Sequence, residues 1–266
     1  MPKLRLKIDV ELHYKLRGAG ETLVFVNGLT MDTTSWKPLE LHFDDYQTLR
    51  YDCRGQGESE KPSGPYTPEQ HSDDLIALLD ALELSNVHLV GLSNGGLISM
   101  LTAGRLGAKR IKSVTTIDSL LSVDPILKTI LLSWKAALVS GGPGLRFDVA
   151  TPWVWGCRFL NEHLEDVFGF RDLAASADGM AVAALIDGAA SFGSAREVWR
   201  TYKGPSLAIV GEDDLLTPPR YSKEIVEYAF NGRLERLLEA GHASPVERPE
   251  AVATLIKKFL STLGEN

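Results

Sequence analysis

One short stretch, Gly91-Leu92-Ser93-Asn94-Gly95-Gly96, most limits what this chain can fold into. The apolar run at residues 87–90 before it predicts a buried strand, and residues 97–103 after it predict a helix. A serine between a strand and a helix lies in a very tight turn, which the flanking glycines permit. The first N–H groups of the helix, and the positive end of its dipole, then point towards whatever the serine contacts.

Outside this turn, strand-like and helix-like patterns alternate along most of the chain. Segments that predict strands lie at residues 23–26, 47–51, 87–90, 111–117, 206–210 and 234–238, and the segments at 23–26 and 87–90 are apolar runs typical of buried strands. Patterns that predict helices lie near residues 36–41, 68–82, 97–103, 219–230 and 249–260. This alternation is typical of βαβ units, so the sequence predicts an α/β fold with a mostly parallel central sheet flanked by helices. Residues 4–8 and 10–16 alternate apolar and polar positions, which predicts an antiparallel hairpin at one sheet edge.

The alternation stops near residue 119, and residues 120–199 have a helical pattern with no good strand. We therefore expect an inserted helical cap at residues 120–199 and a core domain formed by residues 1–119 and 200–266. Four of the five tryptophans lie in the inserted segment. Most of its aromatic side chains are expected to form the cap's own small core. Trp134, Trp153 and Trp155 are the candidates for lining an apolar pocket above Ser93.

The composition excludes several classes of function. A formal net charge of −7 argues against binding of nucleic acid, which requires basic surfaces. The N-terminal residues lack the apolar segment of a signal peptide, and no run of about 18 apolar residues predicts a membrane span. The two cysteines, Cys53 and Cys157, indicate a reducing compartment, so we expect a cytoplasmic protein. No metal site or cofactor is expected, and nothing predicts an oligomeric state.

A serine hydroxyl needs a base to act as a nucleophile, and that base needs a partner that fixes its tautomer. In open parallel sheets such groups lie in loops at the carboxyl ends of strands. His242 follows the last predicted strand, and Asp213 and Asp214 follow the one before it. These residues predict the chain order serine, aspartate, histidine. Asp118, at the end of another predicted strand, is a rival for the acid.

Taken in order, the motifs resemble those of the α/β-hydrolase family, in its esterase and enol-lactonase branch with a helical cap. They span nearly the whole chain: Asn27-Gly28, Asp52-Cys53-Arg54-Gly55-Gln56-Gly57-Glu58-Ser59, Gly91-Leu92-Ser93-Asn94-Gly95, Gly211-x-x-Asp214 with Pro218, and Gly241-His242 with Glu247 and Pro249. The resemblance implies that Ser93 is the nucleophile, His242 the base and Asp214 the acid, with Asp213 a solvated neighbour. It also implies an oxyanion hole made by the backbone N–H groups of Leu29 and Asn94.

Two positions depart from the family's pattern. Asn27 stands where the family usually has histidine, and Asn94 stands where methionine or glutamine is more usual. The oxyanion hole uses backbone N–H groups, so neither change removes a donor. Both asparagines can alter substrate preference, and Asn27 is a further candidate for lining the pocket.

The expected activity is that of a carboxylesterase-like serine hydrolase without a cofactor. It would cleave a small, rather apolar ester or lactone through an acyl-enzyme, and charged acyl groups would be poor substrates. A C–C bond hydrolase, an enol-lactonase or a cofactor-free perhydrolase would use the same three residues. A receptor for a small molecule, on the same fold and with slow turnover, is the alternative from another class.

Overall fold

The computed structural model describes residues 2–264, and its centre is an eight-stranded sheet. The strands are β1 (Lys3–Arg5), β2 (Glu11–Arg17), β3 (Thr22–Val26), β4 (Gln47–Tyr51), β5 (Val87–Leu92), β6 (Ile111–Ile117), β7 (Pro205–Gly211) and β8 (Asn231–Leu237). Their order across the sheet is β1-β2-β4-β3-β5-β6-β7-β8. β2 pairs antiparallel with β1 and β4, and every later pair is parallel. The expected fold class, with its edge hairpin, is therefore confirmed.

Ten helices accompany the sheet within the described residues. They are α1 (Lys37–Glu40), α2 (Pro68–Ala81), α3 (Asn94–Leu106), α4 (Pro125–Val154), α5 (Cys157–Ala175), α6 (Gly179–Ser191), α7 (Arg196–Thr201), α8 (Pro219–Tyr228), α9 (Ser244–Glu247) and α10 (Pro249–Ser261). Local sequence explains several helix starts. At α2, for example, the side chain of Thr67 accepts a hydrogen bond from Gln70 N, and Pro68 occupies the first turn, where its missing N–H costs nothing.

Two apolar clusters cover the two faces of the sheet. On one face, side chains of α2, α3, α7 and α8 pack against the strands. On the other face, α1 and α10 do so, with Trp36 and Phe259 among the large buried residues. Burial on both faces explains why β3 and β5 are apolar at nearly every position.

The segment between β6 and β7 is helical, and α4 and α6 share a separate apolar cluster that includes Trp134. α4 is interrupted at Gly141 and Gly142; the φ of +75° at Gly142 is one that glycine tolerates, and Pro143 follows. The expected cap extends to residue 199, but α7 packs elsewhere. Trp199 and Phe192 belong to the cluster on the sheet, because α7 lies against α3.

Two further sequence expectations concern the membrane and the cysteines. Within residues 2–264 no single helix is long and apolar enough to cross a membrane; α5 and α6 meet that criterion only as a pair bent by 102°. Cys53 is buried, Cys157 is exposed, and neither forms a disulfide.

Candidate active site

The carboxyl ends of four parallel strands bring the candidate residues to one edge of the sheet. Ser93 directly follows β5, Asp118 follows β6, Asp214 lies in the loop after β7, and His242 lies in the loop after β8. These strands are neighbours in the order β5-β6-β7-β8. Residues separated by up to 149 positions in the chain are thereby collected in one place, as is usual for open parallel sheets.

Ser93 occupies the tight turn that the sequence predicts. Its φ of 54° and ψ of −119° lie outside the regions that most residues adopt, a strain that is typical of functional positions. The neighbouring glycines are required by space. A Cβ on Gly91 would overlap the carbonyl oxygen of Gly95, and a Cβ on Gly95 would overlap that of Val26. The turn that carries Ser93 therefore requires glycine at positions 91 and 95.

Asp214 and His242 form a direct hydrogen bond. His242 Nδ1 lies 2.9 Å from Asp214 Oδ2, and the Asp214 side chain is fully buried. Because a carboxylate cannot donate, the Nδ1 atom carries the proton and Nε2 is the free nitrogen. Asp214 Oδ1 accepts backbone N–H groups from Leu216, at 2.8 Å, and Thr217, at 2.9 Å. These bonds fix the carboxylate and, through it, the ring of His242.

Thr217 is a site residue that the sequence analysis did not single out. Its hydroxyl lies 2.9 Å from Asp214 Oδ2, 3.0 Å from His242 Nδ1 and 2.8 Å from the carbonyl oxygen of Asp118. It therefore joins the acid and the histidine to the end of β6. Its position immediately before Pro218, within the acid loop, is the one signal in the sequence that could have indicated it.

The two rival aspartates have different surroundings. Asp213 is exposed to solvent beside the buried Asp214. Asp118 is completely buried, but its carboxylate accepts hydrogen bonds from Gly211 N, at 2.8 Å, and from Ser244 Oγ, at 2.6 Å, rather than from His242. Burial, together with repulsion from the nearby Asp214, raises the pKa of Asp118 well above its usual value.

Charge also affects His242. Burial disfavours the charged ring and works to lower its pKa, but the adjacent Asp214 carboxylate and its hydrogen bond have a larger combined effect in the opposite direction. With a further contribution from Asp118, the pKa of His242 is raised above its usual value of 6.5. The site thus favours the imidazolium that forms when the ring accepts a proton.

Ser93, Leu29, Asn94 and His242 line one cavity of about 930 Å³. Within the described residues, the Ser93 hydroxyl and His242 Nε2 are not hydrogen-bonded to each other, and both residues line this cavity. The backbone N–H groups of Leu29 and Asn94 likewise donate to no protein group in residues 2–264. The cavity edge therefore combines a hydroxyl, a free imidazole nitrogen and two free backbone donors.

Only two of the four candidate pocket residues line the cavity. Trp134 and Trp155 do so, whereas Trp153 and Asn27 do not. The Asn27 side chain is fully buried: its Oδ1 accepts from Trp36 Nε1 at 2.7 Å, and its Nδ2 lies 3.2 Å from Gln56 Oε1. Because the Asn27 amide is hydrogen-bonded to other protein side chains, Asn27 stabilises the loop after β3 and does not line the pocket.

The end of α4 is tied to the loop that carries His242. The carbonyl oxygen of Val154 accepts hydrogen bonds from the backbone N–H groups of His242, at 2.8 Å, and Ala243, at 3.2 Å. The Glu247 carboxylate accepts from Gly241 N at 2.9 Å and Gly156 N at 3.2 Å. The helical segment and the histidine loop are therefore held as one unit.

No group of three or more histidine, cysteine, aspartate or glutamate side chains within residues 2–264 is arranged to hold a metal ion. The groups that the site does offer are those of acyl transfer: a hydroxyl, a base with a fixed tautomer and free N–H donors.

Comparison with known proteins agrees with this architecture. A family model described as the alpha/beta hydrolase fold matches residues 21–249. The chain is 30% identical over 264 residues to 3-oxoadipate enol-lactonase 2 of Acinetobacter baylyi, with 94% of this chain and 95% of that protein covered. Among solved structures it is similar to a thermophilic esterase from Thermogutta terrifontis, with a TM-score of 0.89, 26% identity and 98% of both chains covered. It is also similar to the enol-lactonase from Burkholderia xenovorans, with a TM-score of 0.89, 27% identity, and coverage of 98% of this chain and 100% of that one. The chain therefore belongs to the alpha/beta hydrolase fold family.

Proposed function

We propose that this hydrolase cleaves a small carboxylic ester or lactone through an acyl-enzyme on Ser93. The observation that carries the proposal is the 2.9 Å hydrogen bond between His242 Nδ1 and Asp214 Oδ2, beside a cavity that Ser93 also lines. A buried acid that fixes the tautomer of a histidine leaves Nε2 free to accept the serine proton. The strained turn at Ser93 supports the same role.

Each step of the proposed reaction has a residue assigned to it. Ser93 Oγ attacks the carbonyl carbon while His242 Nε2 accepts the hydroxyl proton. The negative charge that develops on the carbonyl oxygen is stabilised by the N–H groups of Leu29 and Asn94. The leaving alcohol takes the proton from His242, and an acyl-enzyme remains. Water then gives a proton to His242 and attacks the acyl carbon. The bond between the acyl carbon and Ser93 Oγ breaks, His242 returns the proton to Ser93 Oγ, and the acid is released.

The cavity supports a substrate with a largely apolar body. Its volume is within the range of small-molecule sites, and α4–α6, which we propose form a cap over the core, contribute mainly apolar side chains to it. The lactone alternative has specific support, because two of the relatives reported above are named enol-lactonases. Perhydrolase activity has weaker support of the same kind, because the chain is 26% identical, over 96% of its length, to a Mycobacterium tuberculosis protein named as a non-heme bromoperoxidase. C–C hydrolase and receptor functions have no comparable observation in their favour.

A substrate panel tests the proposal. We expect the protein to hydrolyse p-nitrophenyl esters with short to medium acyl chains or simple lactones, in a reaction that depends on Ser93. Acyl chains whose neutral polar group lies against the apolar side chains of α4–α6 should have a kcat/KM lower by about tenfold, because the group loses its hydration there. Turnover too slow for catalysis, together with a partner protein that binds only when ligand is present, would favour the receptor instead.

The raised pKa of His242 makes a prediction about pH. As the base, His242 is active only when neutral, so kcat/KM should fall as the pH drops through its pKa, and this acid limb should lie above pH 6.5. Asp214→Asn removes the charge that raises the pKa, and the limb should move to lower pH. The measurement is the pH profile of kcat/KM for a neutral ester. If the acid limb of the kcat/KM profile stays at the same pH in Asp214→Asn, the assignment of Asp214 as the partner of His242 is contradicted.

A further inference from the structure

Arg146 is buried in the cavity wall without a partner. Its side chain is 6% exposed, it forms no ion pair with residues 2–264, and its Nε atom is fully buried with no acceptor. It lies in the second half of α4, and it lines the same cavity as Ser93 and His242. The nearest aromatic ring is that of Phe147, 6.0 Å from Cζ, which is the outer limit of a cation–π contact.

The other buried arginines in the described chain show how unusual this is. Arg50 is 7% exposed and pairs with Glu40 at 2.8 Å, and Arg54 is 8% exposed and pairs with Asp74 through two short hydrogen bonds. Burying a charge costs stability unless a partner of opposite charge accompanies it. Arg146 is the one member of the three without that partner, and it is also the one that lines the cavity.

The neighbouring acid on α4 is already used. Asp148 accepts two hydrogen bonds from Arg171, at 2.7 and 3.0 Å, on the exposed side of the helix. Asp178 lines the cavity, but its Oδ1 caps α6 by accepting from the N–H groups of Met180 and Ala181. Burial alone acts on Arg146 and lowers its pKa to about 10, so it remains charged near neutral pH.

We propose that Arg146 binds a carboxylate of the substrate, at a distance from the ester or lactone group that Ser93 attacks. The planar guanidinium matches a carboxylate with two parallel hydrogen bonds. Arg146 is the one cation that α4–α6 contribute to the cavity, whereas Lys15 and Lys61 line it from the core. Lys61 already donates to the carbonyl oxygens of Gly57 and Ser59. The one guanidinium in the helical part of the wall fits one carboxylate. The chain's net charge of −7 does not attract anions. Recognition of a substrate carboxylate therefore depends on the nearby charge of Arg146.

This inference rests on the proposed esterase or lactonase function and changes one expectation from the sequence. From the sequence, acyl groups that carry a charge are expected to be poor substrates, because the aromatic residues of segment 120–199 predict an apolar pocket. A buried arginine with no internal partner reverses this expectation for one negative charge. The substrate class becomes an ester or lactone with an apolar body and one free carboxylate.

Pairs of substrates that differ only in charge test the proposal. Mono-p-nitrophenyl esters of succinate, glutarate and adipate are each compared with the corresponding terminal amide, which keeps the shape and removes the charge. For at least one chain length we expect kcat/KM of the acid to exceed that of the amide by about 10- to 100-fold. Arg146→Met should abolish this preference, and Arg146→Lys should retain part of it, since charge remains but the planar fork is lost.

Arg171→Met is the matched control, because Arg171 is also an arginine of the helical segment but is exposed and paired with Asp148. It should leave the preference for the acid unchanged. Thermal unfolding provides a second readout: Arg146→Met removes an unpaired buried charge, so its Tm should equal or exceed that of the wild type. A preference absent at all three lengths, or an Arg146→Met variant that slows acid and amide equally, would overturn the proposal.

Binding separates this inference from the proposed function. Calorimetry on the Ser93→Ala variant should detect glutarate or adipate binding, and Arg146→Met in that background should weaken it by about tenfold or more. If no ester or lactone is hydrolysed but this binding is found, the hydrolytic proposal fails and the carboxylate site stands. If neutral esters are hydrolysed and neither dicarboxylate binding nor a charge preference depends on Arg146, the carboxylate site fails and the hydrolytic proposal stands.

Discussion

Replacement of Ser93 by alanine is expected to lower kcat for ester hydrolysis by at least about 10³-fold. Removal of the nucleophile leaves only substrate binding and the oxyanion donors to accelerate the reaction. Hydroxyl removal creates no large cavity, and the backbone turn depends on Gly91 and Gly95, so the fold should be preserved. The measurement is kcat with the best p-nitrophenyl ester, alongside the far-UV spectrum and Tm of both proteins.

Two controls sharpen this result. Ser133→Ala removes the hydroxyl of an exposed serine in α4 that donates to Ile130 O, and its kcat should match the wild type. A fluorophosphonate reagent should add its mass to the wild type at Ser93 and leave Ser93→Ala unmodified. A folded Ser93→Ala protein that retains wild-type turnover would refute the nucleophile assignment.

Asp214→Asn is the second change with a large expected effect, a loss of kcat that approaches about 10⁴-fold. The amide keeps the shape of the side chain, but it can donate towards His242 Nδ1 and so favours the wrong tautomer. It also leaves the imidazolium without its negative partner. Since Asp214 Oδ1 accepts from two backbone N–H groups, the loop should hold its form with an amide oxygen in that place.

Asp213→Asn is the matched control for this change, because it alters the neighbouring but solvent-exposed aspartate and should cost little. Asp118→Asn tests the rival acid. Its carboxylate bonds to Gly211 N and Ser244 Oγ, so we expect a smaller loss of kcat than for Asp214→Asn. All three proteins are compared near neutral pH after their folding is checked. If Asp213→Asn or Asp118→Asn loses most of its kcat while the kcat of Asp214→Asn stays near that of the wild type, the acid has been misassigned.

Features that depend on neighbours in the chain were predictable from the sequence. The turn at Ser93 requires glycine on both sides, and the start of α2 requires a capping threonine followed by proline, so short motifs reveal both. The strands buried on both faces are continuous apolar runs, and their alternation with helices indicates a parallel sheet. The fold class and the strand end at which each candidate residue lies follow from such local patterns.

Features that depend on distant partners were decided by the tertiary structure. Asp213 and Asp214 are adjacent in the sequence, and only the path of the loop after β7 turns one towards His242 and the other towards solvent. Asn27 takes part in the protein's own hydrogen bonds because Trp36 and Gln56 happen to surround it.

Arg146 is the clearest case. In the sequence it is an ordinary arginine two residues before an aspartate, and arginine is a residue type that is usually exposed. The structure buries it and pairs that aspartate with Arg171 instead. Arg146 is important because it is buried without an ion-pair partner in the described part of the chain. Whether a side chain has a partner depends on which residues surround it in the folded protein. Local sequence determines how each segment folds, whereas the identity of each side chain's partners depends on contacts between segments that are far apart in the chain.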